Sequence, residues 1–72
     1  MTNEFTAIIE PAEEGGFWAY CPEVPGANGQ GETIEETIED LAAAIELLLE
    51  VRRNEALKRA SREATHQTVR VG

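Results

Sequence analysis

Cys21, His66, fourteen Asp and Glu residues and the glycines of "PEVPGANGQGET" are where this 72-residue chain could carry chemistry. A thiol and an imidazole can ligate zinc or pair as nucleophile and base. With one of each, far apart in sequence, there is no recognised ligand spacing and no Cys/His cluster. Cys21 is expected to be a small buried hydrophobe and His66 an exposed side chain. Paired carboxylates could do general acid–base work, and Glu10, Glu14, Glu23 and Glu32 fall at expected strand ends. With fourteen acids in so short a chain, such groupings arise by chance. Gly26, Gly29 and Gly31 invite comparison with phosphate-cradling loops. Their order is GxxGxG, no GK[ST] follows, no βαβ unit surrounds them, and Glu23 and Glu32 would repel phosphate. The residues therefore point to no catalytic centre, no metal site and no cofactor, and the glycines are expected to make turns.

The elements around them follow from periodicity. "EFTAIIE" alternates Phe5, Ala7 and Ile9 with Thr6 and Ile8, the period of a strand with one buried face. Pro11 ends it, "PAEEGG" turns, and "FWAYC" gives a second strand bounded by Pro22, an antiparallel hairpin. Phe17, Ala19 and Cys21 are expected to meet the core with Phe5, Ala7 and Ile9. Thr6, Ile8, Trp18 and Tyr20 are left on the far face, an apolar patch that suits an interface. Pro25-Gly26 predicts a turn with glycine at positive φ, and Asn28-Gly29 a short irregular strand or bend before the helix.

"TIEETIEDLAAAIELLLEVRR" carries the strongest helix signal. Thr33 and Glu36 form the sequence pattern of a capping box, in which Glu36 reaches back to Thr33, and Glu35 and Glu36 suit the positive helix end. Ile34, Ile38, Leu41, Ile45 and Leu48 make the stripe expected to cover the sheet. Leu47, Leu49 and Val51 exceed what one stripe needs, which suggests a further contact with the tail or a second subunit. Asn54 weakens the pattern, so "NEALKRASREA" is read as a short second helix. "HQTVRV", with Val69 and Val71 alternating against Thr68 and Arg70, is read as a late C-terminal strand.

Composition bounds the function. A chain of this length suits one domain, here residues 1–72 with a core over 4–51, and stability alone should be marginal. A single cysteine allows no disulfide framework, which leaves self-association into a dimer or tetramer as a source of stability. Residues 1–51 hold twelve acids and no Lys or Arg, while 52–72 hold six basic residues against Glu55 and Glu63, giving −12 and +4. The acidic body should repel nucleic acid and attract a basic partner. No signal-like or membrane-length apolar run is visible, and a lone cysteine fits a reducing compartment, so a cytoplasmic protein without membrane contact is expected.

"GGFWAYCPEVPG", then "GQGET" and "IEETIEDLAAAIELLLE", resembles the HicB-like antitoxin family, whose hallmark is a glycine-aromatic strand, a Pro-x-x-Pro-Gly turn, a Gly-Asp/Glu-Thr cap and an acidic amphipathic helix. The resemblance spans roughly residues 4–51, and Gly16, Pro22, Pro25, Gly26, Gly31, Thr33 and Glu36 fall on its pattern as fold-determining positions. It implies an α+β fold, a three-stranded antiparallel sheet under one long helix with a late strand, in a partial RNase H-like β-β-β-α-β arrangement without the nuclease site. It also implies neutralisation of a small basic HicA-type RNase. Many members carry a C-terminal DNA-binding module, which the 21 residues after the helix do not match, so direct DNA binding is not favoured. Ile8, Trp18, Tyr20, Leu47 and Val51 are the expected partner or oligomer interface. The alternative reading is an oligomeric structural or regulatory protein without a toxin partner.

Overall fold

The computed structural model describes residues 4–71. Three strands, β1 (Ile8–Pro11), β2 (Phe17–Tyr20) and β3 (Asn28–Gly31), precede one helix, α1 (Ile34–Arg59). The sheet is antiparallel in the order β1-β2-β3. Ile9, Ala19 and Gly29 are successive partners across it. This is a two-layer α+β arrangement: α1 covers one sheet face and leaves the other open.

The loop between β2 and β3 is two turns in series. The Val24 N–H donates to the Cys21 carbonyl and the Ala27 N–H to the Val24 carbonyl, both at 3.1 Å. Pro22 and Pro25 each follow the first residue of a turn, where a fixed φ helps, and Gly26 sits at φ 96°, as a type II turn demands. Val24 and Ala27 are thereby driven into the core with Ala19, Cys21, Leu41 and Ile45.

Glycines decide how the helix meets the sheet. A Cβ at Gly29 would lie 2.5 Å from the Leu41 nitrogen, and one at Gly31 would lie 2.7 Å from the Glu36 Cβ. Helix backbone thus rests on strand backbone, and α1 packs chiefly on β3. This close approach corrects the expected stripe. Thr37 faces the sheet, fully buried, together with Leu41 and Ile45, while Ile34 and Ile38 remain 46% and 44% exposed. The Thr37 hydroxyl satisfies itself locally by donating to the Thr33 carbonyl at 2.8 Å.

The strand faces follow the expected alternation, with one correction. Ala19 and Cys21 are buried, and Ala7 and Ile9 pack against the core. Phe5 is 42% exposed, because it precedes β1 at the open edge where only one side of α1 reaches it.

Two further corrections concern the C-terminal third. Residues 54–59 continue α1 and make no second helix. Asn54 is exposed there, where its modest propensity cost is offset by Glu55, Ala56, Leu57, Lys58 and Arg59, good helix formers joined by a Glu55–Arg59 pair at 3.3 Å. The helix ends at Ala60, Ser61–Ala64 form a turn closed by a 3.1 Å backbone bond, and Thr68–Val71 are exposed and form no strand. A strand needs a neighbour, and none of the other described strands lies beside this segment.

Candidate partner-binding face

The open sheet face is built from alternate residues of three strands. In the β1–β2 register Ile8 faces Tyr20 and Glu10 faces Trp18; in the β2–β3 register Trp18 faces Gln30 and Tyr20 faces Asn28. Trp18 and Tyr20, two apart on β2, stack with ring centroids 5.7 Å apart and planes inclined by 24°. Trp18 is exposed, and Tyr20 and Ile8 are half-buried. Stacking fixes both rings in advance, which lowers the entropy lost when a partner orders them.

Acids rim this face. Beside Trp18 a hollow runs between the β1–β2 turn and the start of α1, lined in part by Glu13, Glu14, Glu32 and Glu36. An exposed indole next to several carboxylates suits an Arg or Lys side chain, which can lie on the ring and pair with a carboxylate. Among the described residues, no group of three or more His, Cys, Asp and Glu is arranged to hold a metal ion.

The other expected residues fall into two sets. Leu47 and Val51 lie on the outside of α1, 62% and 45% exposed, and do not join the aromatic face. The turn and cap residues act on the scaffold. Gly16, at φ 74°, closes the β1–β2 turn by accepting from the Ala12 N–H at 3.0 Å. The Thr33 hydroxyl accepts from the Glu36 N–H at 3.1 Å, which fixes the first turn of α1. Glu36 does not reach back to Thr33: its carboxylate accepts from the Glu32 N–H at 2.9 Å, one residue earlier, so the reciprocal half of the box is displaced.

Four side-chain contacts that hold the scaffold were not expected. Asp40 accepts from the Gln30 N–H at 2.9 Å, tying α1 to β3 beneath the aromatic pair's neighbour. Arg52 donates to the Pro25 carbonyl at 2.6 Å. Glu23 accepts from the Thr6 N–H at 2.9 Å and the Thr6 hydroxyl at 2.7 Å, which pins the segment leading into β1, and from the Cys21 thiol at 3.2 Å. Those donors, the Thr6 hydroxyl first, then the Thr6 N–H and the Cys21 thiol, hold its pKa at about 2 against an ordinary 4.5. The only signal in the sequence is that Thr6 and Glu23 are polar residues flanking paired strands.

The chain is 51% identical over 69 residues to the UPF0150 protein ssl0738 of Synechocystis sp., covering 96% of both chains. It belongs to the UPF0150 family. A second Synechocystis UPF0150 protein, ssl0259, is 42% identical over 60 residues, 83% of this chain and 82% of its own. A UPF0150 protein of Archaeoglobus fulgidus is 37% identical over 51 residues, 71% of this chain and 74% of its own. No family model and no solved structure matches this UPF0150 chain. No described helix in it is long and apolar enough to cross a membrane.

Proposed function

We propose that this UPF0150 chain is a non-enzymatic protein-binding module of the HicB-like kind, which neutralises a small basic HicA-type RNase in the cytoplasm by covering its active face. The observation that carries the reading is the preorganised Trp18–Tyr20 stack on an uncovered sheet face rimmed by carboxylates. Aromatic anchors supply affinity at the centre of an interface, and surrounding charge raises the encounter rate and selects a partner of opposite sign. The net charge of −8 suits a basic partner and opposes contact with nucleic acid. The β-β-β-α order agrees with the resemblance borne by "GGFWAYCPEVPG" and "GQGET".

Co-expression with the small reading frame adjacent to the gene, followed by size-exclusion chromatography with light scattering, tests this reading. A joint peak is expected, lost in the Trp18→Ala/Tyr20→Ala double variant and weakened by added salt. A partner whose binding ignores both the salt and the double variant would overturn it.

A further inference from the structure

The hollow beside Trp18 has a direction. Trp18 lines it and Tyr20 does not, so it lies on the side of the indole away from the stack, open and about 660 Å³ in volume. Trp18 is 42% exposed, which leaves ring surface uncovered there. Because β2 is the central strand, polar groups reach the ring from both flanks. Glu10 on β1 and Gln30 on β3 are the cross-strand partners of Trp18. Further along, Glu13 and Glu14 of the β1–β2 turn stand on one flank of the hollow, and Glu32 and Glu36 stand on the other. Glu36 is already engaged, accepting from the Glu32 N–H, whereas Glu13, Glu14 and Glu32 are exposed.

The body and the helix supply no cation to these carboxylates. Residues 1–51 contain no Lys or Arg. Arg52 is tied to the Pro25 carbonyl, and Arg53 lies about 25 Å along α1 from Glu36. The one ion pair among the described residues, Glu55–Arg59, is at the far end of the same helix. A second copy carries the same net charge of −8, and that charge opposes its approach while drawing in a basic protein.

Ring and acids together discriminate between cations. A guanidinium is planar and weakly hydrated, so it can lie on an indole and still direct N–H groups sideways to acceptors on both flanks. An ammonium is a compact, strongly hydrated point charge, which gains from the carboxylates but less from the ring.

We propose that the hollow seats an arginine side chain of a basic protein partner, its guanidinium stacked on the Trp18 indole and donating to Glu13 or Glu14 on one flank and to Glu32 on the other. This rests on the partner-binding reading above and narrows it, since the partner must present arginine at this point and lysine is a poor substitute.

The test uses the purified chain and two probes of equal charge, capped tetra-arginine and tetra-lysine amides, titrated at low salt. Trp18 is the only tryptophan of the chain, so its fluorescence reports the hollow directly, and calorimetry follows variants that lack it. The arginine probe is expected to bind about fivefold or more tighter than the lysine probe and to change the fluorescence. Trp18→Leu should bring the ratio of the two affinities to about one. Glu13→Gln/Glu14→Gln/Glu32→Gln should weaken the arginine probe more than Glu39→Gln/Glu46→Gln/Glu50→Gln, which removes as much charge from the outside of α1. All these positions are exposed, so the variants keep the fold. Equal affinity for the two probes, a preference that survives Trp18→Leu, or equal losses in the two triple variants would overturn the proposal. No toxin is present, so failure here leaves a joint peak in co-expression standing, and an absent joint peak leaves this result standing.

Discussion

The Arg52 guanidinium donates to the Pro25 carbonyl at 2.6 Å, joining a turn and a helix 27 residues apart in sequence. Gly26, the next residue of that turn, lies under the same part of α1, its would-be Cβ 3.4 Å from Leu48 and 3.8 Å from the Arg52 guanidinium. The contact fixes where the double turn sits and so how Val24 and Ala27 enter the core. It also removes Arg52 from any reading of the basic segment as a row of free cations. Arg52→Ala is expected to cost about 1 kcal/mol, the usual worth of one hydrogen bond at an accessible site. In a chain this small that is roughly 4–8 °C in melting temperature, measurable by circular dichroism. An unchanged melting point would show that the bond does not act in solution.

Gly29→Ala should be a severely damaging single-methyl change. The new Cβ would have to occupy space 2.5 Å from the Leu41 nitrogen and 2.8 Å from its Cα, both helix backbone that cannot step aside. Separating α1 from β3 opens the core, and overpacking of this kind costs about 1–3 kcal/mol or more. Urea unfolding should show the midpoint falling further than for Arg52→Ala; an equal or smaller shift would refute the close-packing account.

Thr33→Ala removes the hydroxyl that accepts from the Glu36 N–H, and a loss of about 1 kcal/mol is expected. Thr33→Ser should retain most of the stability, and Thr33→Asp should do so as well, since each keeps an acceptor at the same place. Equal losses in all three would point to the methyl group of Thr33 and not to its oxygen.

Glu23 gives the chain an acid-sensitive tie. Its pKa is lowered from 4.5 to about 2 by the Thr6 hydroxyl, the Thr6 N–H and the Cys21 thiol. A depressed carboxylate contributes stability that is fully present above the unfolded value and fades as pH falls towards the folded one. The contribution should therefore be complete above pH 4.5 and decline between there and about 2. Glu23→Gln should be less stable than wild type near neutrality, with the difference shrinking across that window in urea titrations. A difference independent of pH would separate Glu23 from the acid response.

The aromatic pair should be dispensable for folding. Trp18 is exposed and its ring contacts Tyr20 on the open face, so Trp18→Ala is expected to change the melting temperature by less than Gly29→Ala or Arg52→Ala. Tyrosine and tryptophan fluorescence in the wild type should respond to partner binding, since both rings lie where a partner is expected. A large loss of stability in Trp18→Ala would assign the ring to the scaffold instead of the interface.

Local order was written plainly in the sequence. Alternation at "EFTAIIE" and "FWAYC", the Pro-Gly turn and the threonine before an acidic run each depend on residues within a few positions of one another. They dictated the hairpin, the turn with Gly26 at positive φ, the helix start at Ile34 and the exposure of Trp18 opposite a buried Ala19. What the sequence could not dictate was the rotation of α1 over the sheet. Apolar spacing favoured Ile34 and Ile38 as contacts, yet the absence of side chains at Gly29 and Gly31 let strand backbone meet Thr37 and Leu41 directly. The ties Arg52–Pro25, Asp40–Gln30 and Glu23–Thr6 likewise join residues whose proximity exists only after the layers have packed. Helix continuity through Asn54 and the unpaired state of Thr68–Val71 follow the same logic, since weak local preferences yield to neighbours in space or wait for them. Periodicity and turn chemistry thus determined the elements and their outward faces, while the tertiary structure alone decided which face of the helix meets the sheet and which edge stays open, because both depend on backbone approach between distant segments.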